Sequence, residues 1–411
     1  MPETNTFSKI VDGIPMDGLL SHANSAKQWD VDSVLRKGGA KSLEEFVTLL
    51  SPAASEHLEE LALLSQQTTR KHFGKVIRLF APLYLSNECV NICKYCGFSR
   101  NNPIPRITLP VEKVKKETQL LAEQGFRSIL LVAGEHPKHI SNSYVEDCIE
   151  ACLEYMPSVL LEIAPMETDG YEPLVRAGSE GLVVYQETYH PETYKDLHPH
   201  GPKKHYHWRL DAPERGYAAG FRRLGIGALF GLYDWRYEAI KLAAHALHLN
   251  KYCCNAQLSI SFPRMRPATG EFEPQKQHLL PDKQLVQLLC ALRLLLPHAA
   301  FVLSTRESPA FRDGLIPLGI TNISAGSSTE PGAYSDYDTK EWKPKRSQPG
   351  EQFHIADERS PAQIAELLRQ KQLEPVWKDF DTSLVTPFSP QTNSTRTENL
   401  QTLSENSVLS Y

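Results

Sequence analysis

The fold of this chain is organised around one short stretch, residues 87–99, which reads NECVNICKYCGFS. It places Cys89, Cys93 and Cys96 in the spacing C-x3-C-x2-C. The stretch directly follows an apolar run, Val76–Leu85, whose composition predicts a buried β-strand. The cysteine loop is therefore expected at the end of the first strand of the main domain.

The cysteine spacing indicates a metal centre. Three thiolates can hold three irons of a [4Fe–4S] cluster, which normally takes four cysteines. The next cysteine is Cys148, so the fourth iron would stay open to a ligand from outside the protein. This arrangement is typical of radical S-adenosylmethionine (SAM) enzymes. The alternative is a structural zinc loop, which needs four closed ligands and could recruit His136 and His139.

Length and composition bound the class of protein. A chain of 411 residues can form one barrel-sized domain or two ordinary ones. Its net charge of −5 argues against a nucleic-acid binder, and no apolar run reaches the ~18 residues that span a membrane. The beginning of the chain has no apolar signal-peptide core, and the other cysteines form no disulfide framework. We therefore expect a cytoplasmic protein.

Apolar strands alternate with amphipathic helices from about residue 76. The strand candidates are Val76–Leu85, Ser128–Ala133, Leu160–Ala164, Gly181–Gln186, Ile226–Leu232, Leu258–Phe262, Phe301–Ser304 and Ile320–Ala325. The helical stretches between them include Val111–Gln124, Tyr144–Tyr155, Asp234–Leu249, Asp282–Leu296 and Ser308–Leu315. Strand–helix alternation of this kind predicts an α/β protein with a (β/α)8 barrel over residues 76–330. An open doubly wound sheet remains an alternative, because periodicity alone does not show closure.

The segments that flank the barrel differ from it in pattern. Residues 1–75 are expected to form an N-terminal helical extension, in which Ser42 and Glu45 predict a capping box before Leu43–Leu50. Residues 331–385 predict a long loop followed by a closing helix at Pro361–Lys371. The polar tail at 386–411 is expected to be disordered.

Active sites of barrel enzymes lie at the C-terminal ends of the strands. After the cysteine loop, those ends carry Gly134-Glu135, Glu162, Gln186-Glu187-Thr188-Tyr189-His190, Gly225, Gly227, Gly231, Arg264, Arg266, Arg306-Glu307 and Ser324-Ala325-Gly326-Ser327. Such groups suit a polar cosubstrate and a zwitterionic substrate. Structural roles also fit: a turn at Gly134, a helix cap at Glu187, close packing at the glycines, a surface ion pair at Arg306-Glu307, and a loop histidine at His190.

Seven motifs resemble one known family, the 2-iminoacetate synthases, which are the tyrosine lyases of thiamine thiazole biosynthesis. They are CKYCGFS at 93–99, GEH at 134–136, VYQETYH at 184–190, WRL at 208–210, SFPR at 261–264, STRES at 304–308 and PVWKD at 375–379. The resemblance implies a radical SAM barrel enzyme that uses a [4Fe–4S] cluster and SAM.

The resemblance also implies a reaction and partners. SAM is split to methionine and a 5′-deoxyadenosyl radical, which removes a hydrogen from the amino group of L-tyrosine. The Cα–Cβ bond then breaks to give p-cresol and 2-iminoacetate (dehydroglycine). The implied partners are a thiazole synthase that takes the imine onward and an electron donor of the flavodoxin or ferredoxin type.

Residue roles follow from the matched motifs. Cys89, Cys93 and Cys96 are expected to ligate the cluster, with Tyr95 near the adenine or the substrate. The expected SAM contacts are Gly134 and Glu135 for the amino group, and Glu162, Gln186, Glu187 and Arg209 for the ribose or the amino acid end. Arg306 and Ser324 are expected to hold the substrate carboxylate, which suits a guanidinium fork, and His190 to lie near the phenol.

Three other functions stay open. The tyrosine lyase of [FeFe]-hydrogenase maturation resembles this chain through the barrel, but it carries further C-terminal cysteines for a second cluster. The last cysteine here is Cys290, so we expect no such cluster. A tryptophan lyase would differ in the side-chain pocket. A zinc-stabilised binding protein on a barrel would be colourless, whereas an iron–sulfur protein is brown.

Overall fold

The computed structural model describes residues 6–270, 272–336 and 350–377. Within these ranges the strands are β1 (Val76–Ser86), β2 (Ser128–Ala133), β3 (Ser158–Glu162), β4 (Gly181–Glu187), β5 (Arg223–Ala228), β6 (Gln257–Ser261), β7 (Ala300–Leu303), β8 (Asn322–Ser324) and β9 (Glu374–Val376). The strands pair in parallel, and β1 pairs with both β2 and β8. This pairing closes β1–β8 into a ring, so the predicted (β/α)8 barrel is confirmed and the open sheet is excluded.

The helices of the described ranges fall into an N-terminal group and a group around the barrel. The N-terminal helices are α1 (Met16–Ser25), α2 (Gln28–Arg36), α3 (Leu43–Leu49), α4 (Pro52–Glu56) and α5 (Leu58–Phe73). The others are α6 (Val111–Glu123), α7 (Asn142–Leu153), α8 (Thr168–Arg176), α9 (Pro191–Leu197), α10 (Tyr206–Leu210), α11 (Ala212–Ala219), α12 (Trp235–Tyr252), α13 (Asp282–Leu295), α14 (Pro309–Gly319) and α15 (Pro361–Gln370). No helix in the described part of the chain is both long and apolar enough to cross a membrane.

Alternation along the strands divides the apolar residues into two layers. On β2, Ile129 and Leu131 belong to the large core between the sheet and the helices. Leu130 and Val132 belong to a small cluster with Tyr84. Because successive side chains of a strand point to opposite faces, one run of apolar residues fills both the outer core and the barrel interior.

The N-terminal helices pack on the outer helices of the barrel, with α5 against α13 and α14. Gln287 of α13 donates to the carbonyls of Leu49 and Ser51 at 2.9 Å each, which fixes this contact. At the start of α3, Ser42 Oγ accepts from the Glu45 backbone N–H at 3.3 Å, as predicted. The Glu45 carboxylate instead accepts from the Lys41 backbone N–H, so only half of the predicted capping box forms.

Most strand ends differ from the sequence prediction by one or two residues, and two differences are larger. Strand β5 begins three residues before the predicted Ile226 and ends at Ala228. The apolar residues that follow it, Leu229 and Phe230, are buried beyond the regular strand, and Phe230 forms only an isolated parallel bridge with Arg264. Strand β9 was not predicted; it pairs with Val76–Arg78 at the start of β1. The domain boundaries remain predictions, and the tail at 386–411 lies outside the described residues.

Candidate active site

The cysteine loop after β1 is held by its own polar side chains. Arg106 donates from Nη1 to the carbonyls of Asn87 at 2.7 Å and Phe98 at 2.9 Å, and from Nη2 to the carbonyl of Ser99 at 2.6 Å. Asn102 donates to the carbonyl of Cys96 at 3.1 Å. These contacts fix the backbone of the loop that carries the three thiols.

The cysteines fit a polynuclear cluster better than a single zinc ion. Burial is the largest cause of the raised thiol pKa values of Cys93 and Cys96, and it takes the pKa of Cys96 to about 11. The nearby Cys89 raises both pKa values further, and Cys96 also raises that of Cys93. In the described ranges, the group of three potential ligand atoms lying within 4.8 Å of one another is Glu88, His136 and His139. The zinc alternative that joined these histidines to the cysteines therefore gains no support. Three separated thiolates suit a cluster, in which each cysteine binds a different iron.

A cavity opens at the C-terminal ends of the strands and reaches the cysteine loop through Tyr95 and Cys96. Apolar side chains such as Phe80, Leu130 and Val132 line one part of it. The polar residues that line it are Glu162, Glu187, Lys203, Ser261, Arg266, Ser304, Thr305, Arg306, Glu307, Ser324, Ser327, Thr329 and Gln352. A mixed lining of this kind is typical of a site for a small ligand with charged groups.

Arg306 is the cation of this cavity that has no polar partner. Within the described residues its guanidinium has neither an ion pair nor a hydrogen bond, and its carbon lies 3.3 Å from the centroid of the Phe353 ring. Burial lowers the pKa of Arg306, with Tyr84 and Glu187 opposing. The neighbouring Glu307 pairs with Arg266 at 2.8 Å and with Arg264. The interpretation of Arg306-Glu307 as a surface ion pair is therefore wrong. The guanidinium of Arg306 can donate two hydrogen bonds to the carboxylate of a ligand.

Glu162 and Glu187 face the same cavity in different protonation environments. Burial, with Glu187 second, raises the pKa of Glu162 to about 7. Burial also acts on Glu187, but Lys203 and Arg209 outweigh it and lower its pKa. Lys203 Nζ donates to Glu187 at 2.7 Å. Glu187 is thus held ionised, whereas Glu162 can exchange a proton near neutral pH.

Bulges at two strand ends aim these side chains. The register of β1 shifts between Tyr84 and Ser86, and that of β4 between Tyr185 and Glu187. Glu187 has a φ of +71°, a left-handed conformation that a glutamate rarely adopts. Strain of this kind persists where the surroundings over-determine it, and here the Lys203 pair and the bulge do so.

Tyr95 is held by a histidine that the motifs did not single out. His198 Nδ1 donates to the Tyr194 carbonyl at 2.7 Å, so its Nε2 accepts from the Tyr95 hydroxyl at 2.7 Å. Burial, with Lys203 second, lowers the pKa of His198 well below its usual value. The neutral imidazole therefore fixes the Tyr95 ring beside Cys96.

Gly134 and Glu135 lie against the cysteine loop. A Cβ on Gly134 would stand 2.2 Å from the Glu88 carbonyl oxygen, so only glycine allows this approach. Glu135 Oε2 accepts from Asn91 Nδ2 at 2.7 Å. The two residues thus lie beside the first cysteine, although neither lines the cavity itself.

Besides Gly134 and Glu135, three further residues predicted to contact SAM or the substrate lie outside the cavity. Gln186 is buried on the opposite face of β4 from Tyr185 and Glu187, because side chains alternate along a strand. His190 caps α9, accepts from the Thr193 backbone N–H and stacks on Tyr233, so it is the satisfied loop histidine rather than a cavity residue. Arg209 donates to the Tyr185 carbonyl at 2.9 Å and reaches the site only by its charge, close to Glu187.

The glycines of β5 act by close packing, as their structural interpretation proposed. A Cβ on Gly227 would come 2.8 Å from the ring of Tyr185. The absent side chain lets that ring lie inside the barrel, where its hydroxyl meets Ser261 Oγ at 3.0 Å.

Sequence reasoning missed Lys203, His198 and the segment around Phe353. Lys203 lies in a basic loop that reads as solvated, and His198 lies in a stretch with several histidines. The side-chain Oε1 of Gln352 accepts a hydrogen bond from the Tyr84 hydroxyl at 2.8 Å, and its backbone carbonyl accepts one from the Gly97 N–H at 2.9 Å. The sequence placed this segment within the long polar loop before the closing helix, and such a position does not predict contact with the cysteine loop.

Two family models match the chain. The model of the radical SAM superfamily matches residues 83–246. The model of the biotin and thiamin synthesis associated domain matches residues 261–374. The first match contains the cysteine loop and Glu187, and the second contains Arg306 and Ser324 and ends at the first residue of β9.

Curated proteins and solved structures also match over most of the chain. The 2-iminoacetate synthase of Escherichia coli strain K12 is 41% identical over 380 residues, covering 92% of this chain and 98% of that protein. That of Salmonella typhimurium is 40% identical with the same coverage. A crystal structure of HydG, a maturase of the [FeFe]-hydrogenase, superposes with a TM-score of 0.83 at 32% identity, covering 90% of this chain and 81% of that one. HydG from Carboxydothermus hydrogenoformans gives a TM-score of 0.80 at 33% identity, covering 90% and 84%.

Proposed function

We propose the reaction of this protein from one premise: the chain belongs to the 2-iminoacetate synthase family of radical SAM enzymes. Its function is to cleave the Cα–Cβ bond of L-tyrosine, giving 2-iminoacetate and p-cresol, for the thiazole of thiamine. The observation that carries this assignment to particular residues is the Arg306 guanidinium, which faces the cavity without a polar partner in the described ranges.

The residues present fit the cofactors of the family. Cys89, Cys93 and Cys96 would hold three irons of a [4Fe–4S] cluster, and Glu135 and Gly134 would receive the amino group of SAM. When bound, the cluster and SAM supply the carbon-centred radical that starts the reaction. The protein's part is to position the substrate and to keep water away from the product imine.

Arg306 and Ser324 bind the tyrosine carboxylate in this proposal. A guanidinium fork can donate two parallel hydrogen bonds to a carboxylate, and Ser324 lines the same cavity. Arg312 donates to the Ser324 carbonyl and so fixes the backbone from which the hydroxyl projects. The substrate would thus be anchored at the ends of β7 and β8, across the barrel from β4.

In this proposal, the carboxylates of Glu162 and Glu187 interact with the positively charged groups of SAM and the substrate. Glu187, which its ion pair with Lys203 keeps ionised, is assigned to a contact with SAM. The positive charge of Arg209 also lowers the pKa of Glu187. Glu162 titrates near neutral pH, so it can take a proton from the tyrosine ammonium and leave a neutral amino group. Tyr95, fixed by His198, forms the wall between the cysteine loop and the cavity.

We propose two partners for this activity. The imine product hydrolyses in water, so a thiazole synthase that takes it directly from the enzyme would protect it. Reduction of the cluster needs a one-electron donor, for which a flavodoxin or a ferredoxin is the proposed class.

The test is an anaerobic assay of the protein reconstituted with iron and sulfide. SAM, a strong reductant and L-tyrosine are added, and 5′-deoxyadenosine and p-cresol are measured by chromatography. We expect both products, with p-cresol absent when SAM is omitted. Formation of 5′-deoxyadenosine only with L-tryptophan, or neither product from a brown and fully loaded protein, would overturn the proposal.

A further inference from the structure

The side chain of Asn91 lies between the first cysteine and Glu135. Its Nδ2 stands 2.7 Å from Glu135 Oε2 and 3.7 Å from Cys89 Sγ. Its Oδ1 accepts from the backbone N–H of Lys203 at 2.9 Å. Asn91 is 2% exposed, so these contacts account for its whole polar end.

The orientation of this amide follows from its partners. A backbone N–H can only donate, so the atom that faces Lys203 must be the oxygen. The NH2 group therefore faces an ionisable carboxylate and a thiol sulfur, both of which can accept. The two amide protons can serve Glu135 and Cys89 at the same time.

The surrounding backbone holds Asn91 in this position. Gly201 has a φ of +91°, and a Cβ there would stand 2.2 Å from Asn91 Oδ1. The backbone N–H of Arg100 donates to the Asn91 carbonyl at 2.9 Å. The amide cannot swing away from the sulfur without moving the loop at 201–203, which also carries the Lys203–Glu187 pair.

A hydrogen bond to a cluster-ligating sulfur changes the reduction potential of the cluster. The reduced cluster is more negative, so an N–H donor at the sulfur stabilises it and raises the potential. Asn91 makes this contact with the same NH2 group that serves Glu135. A change in the charge at Glu135 therefore alters how strongly the amide polarises toward Cys89.

We propose that Asn91 is a positioning residue that couples ligand binding at Glu135 to the reduction potential of the cluster. It rests on the proposed function, in which Glu135 receives an amino group. An ammonium bound to Glu135 weakens the pull of the carboxylate on the amide and strengthens the N–H···S contact. Binding thereby makes the cluster easier to reduce when the cosubstrate is in place.

The test measures the midpoint potential of the reconstituted protein by redox titration followed with electron paramagnetic resonance. The probe is S-adenosylhomocysteine, which carries the same amino acid end as SAM but has no sulfonium to cleave. For Asn91→Ala we expect a lower potential than the parent without the probe, and a smaller shift when the probe is added. Asn91→Asp, which keeps the acceptor for Lys203 but loses the donor, should behave in the same direction.

The matched control is Asn102→Ala, in the same loop. Asn102 donates to the carbonyls of Cys96, Gly97 and Thr269 but to no sulfur, so its removal loosens the loop and leaves the N–H···S contact. Iron content and circular dichroism establish that each variant is loaded and folded. A parent-like potential and probe shift in both Asn91 variants, or the same losses in Asn102→Ala, would overturn the proposal. Failure of the tyrosine assay in the parent would instead overturn the proposed function.

Discussion

Arg306 and Arg312 lie on adjoining elements of the barrel, and their surroundings are opposite. Arg312, on α14, is 1% exposed and donates to Asp357 at 2.5 Å and to the Ser324 carbonyl. Arg306, after β7, faces the cavity with the ring of Phe353 as its neighbour. Two neighbouring arginines can therefore serve different purposes. The presence of an ion pair separates the group that holds the fold from the group that can bind a ligand.

The same contrast extends to cysteines, and the largest expected effect lies there. Cys93→Ala should abolish cluster assembly and SAM cleavage, because one iron loses its ligand. Iron content, the brown colour and 5′-deoxyadenosine formation measure this loss. Cys254→Ala, at an exposed cysteine far along the chain, is the control and should keep all three. Activity retained in Cys93→Ala would remove the cluster from this loop.

The unpaired arginine gives the next effect. Arg306→Lys should raise KM for L-tyrosine roughly tenfold or more, since losing one hydrogen bond to a charged group costs about 1.5–3 kcal/mol. Iron content and SAM binding should stay unchanged. Arg127→Lys, at an arginine that bonds only to the carbonyls of Ala122 and Phe126, is the matched control. An unaltered tyrosine affinity would remove Arg306 from the substrate site.

The paired arginine should respond in stability instead. Arg312→Met leaves Asp357 buried with Arg359 as its remaining partner, and a broken buried pair costs about 3 kcal/mol or more. Urea unfolding followed by circular dichroism measures it. Arg369→Met, which removes an exposed pair with Glu366, should change stability by less than about 1 kcal/mol. Equal stability of the two variants would break the contrast between Arg306 and Arg312.

The smallest effect concerns Glu162 and pH. Its pKa is raised to about 7 in the folded protein. Its stabilising contribution is therefore present below the unfolded pKa of about 4.3 and is lost as pH rises through about 7. The glutamine of Glu162→Gln does not titrate. Between these pH values the free energy of unfolding of this variant should therefore fall by ~1–3 kcal/mol less than that of the parent. Parallel stability curves from urea titrations at several pH values would contradict this assignment.

The barrel could be predicted from the sequence because eight apolar segments alternate with helices. Strand β9 could not, because Glu374–Val376 is short and contains Pro375. The predicted end of β5 is too late because Leu229 and Phe230 are as apolar as strand residues, although they are buried beyond the end of the regular strand. Periodicity reports burial, and burial occurs outside the sheet as well as inside it.

The site could be predicted only as far as its motifs reach. Cys89, Cys93, Cys96 and Arg306 follow from residue type and position at strand ends. Gln186 and Glu187 could not be told apart, because which of two neighbouring residues faces inward depends on the parity of the strand. His190 and His198 presented the same difficulty, since only the fold decides which histidine reaches Tyr95. Lys203 was missed because a lysine in a basic loop is usually solvated, and here a buried glutamate holds it.

The segment at 351–352, which packs over the cysteine loop, has a consequence for the synthesis of the protein. Gly97 approaches the segment at 351–352 so closely that a Cβ would stand 2.1 Å from the Glu351 carbonyl oxygen. That segment is synthesised some 250 residues after the cysteines. A nascent chain therefore exposes the three thiols before their cover exists. The segment at 351–352 can cover the loop only after its own synthesis, so the covered form of the cysteine loop is a late product of folding.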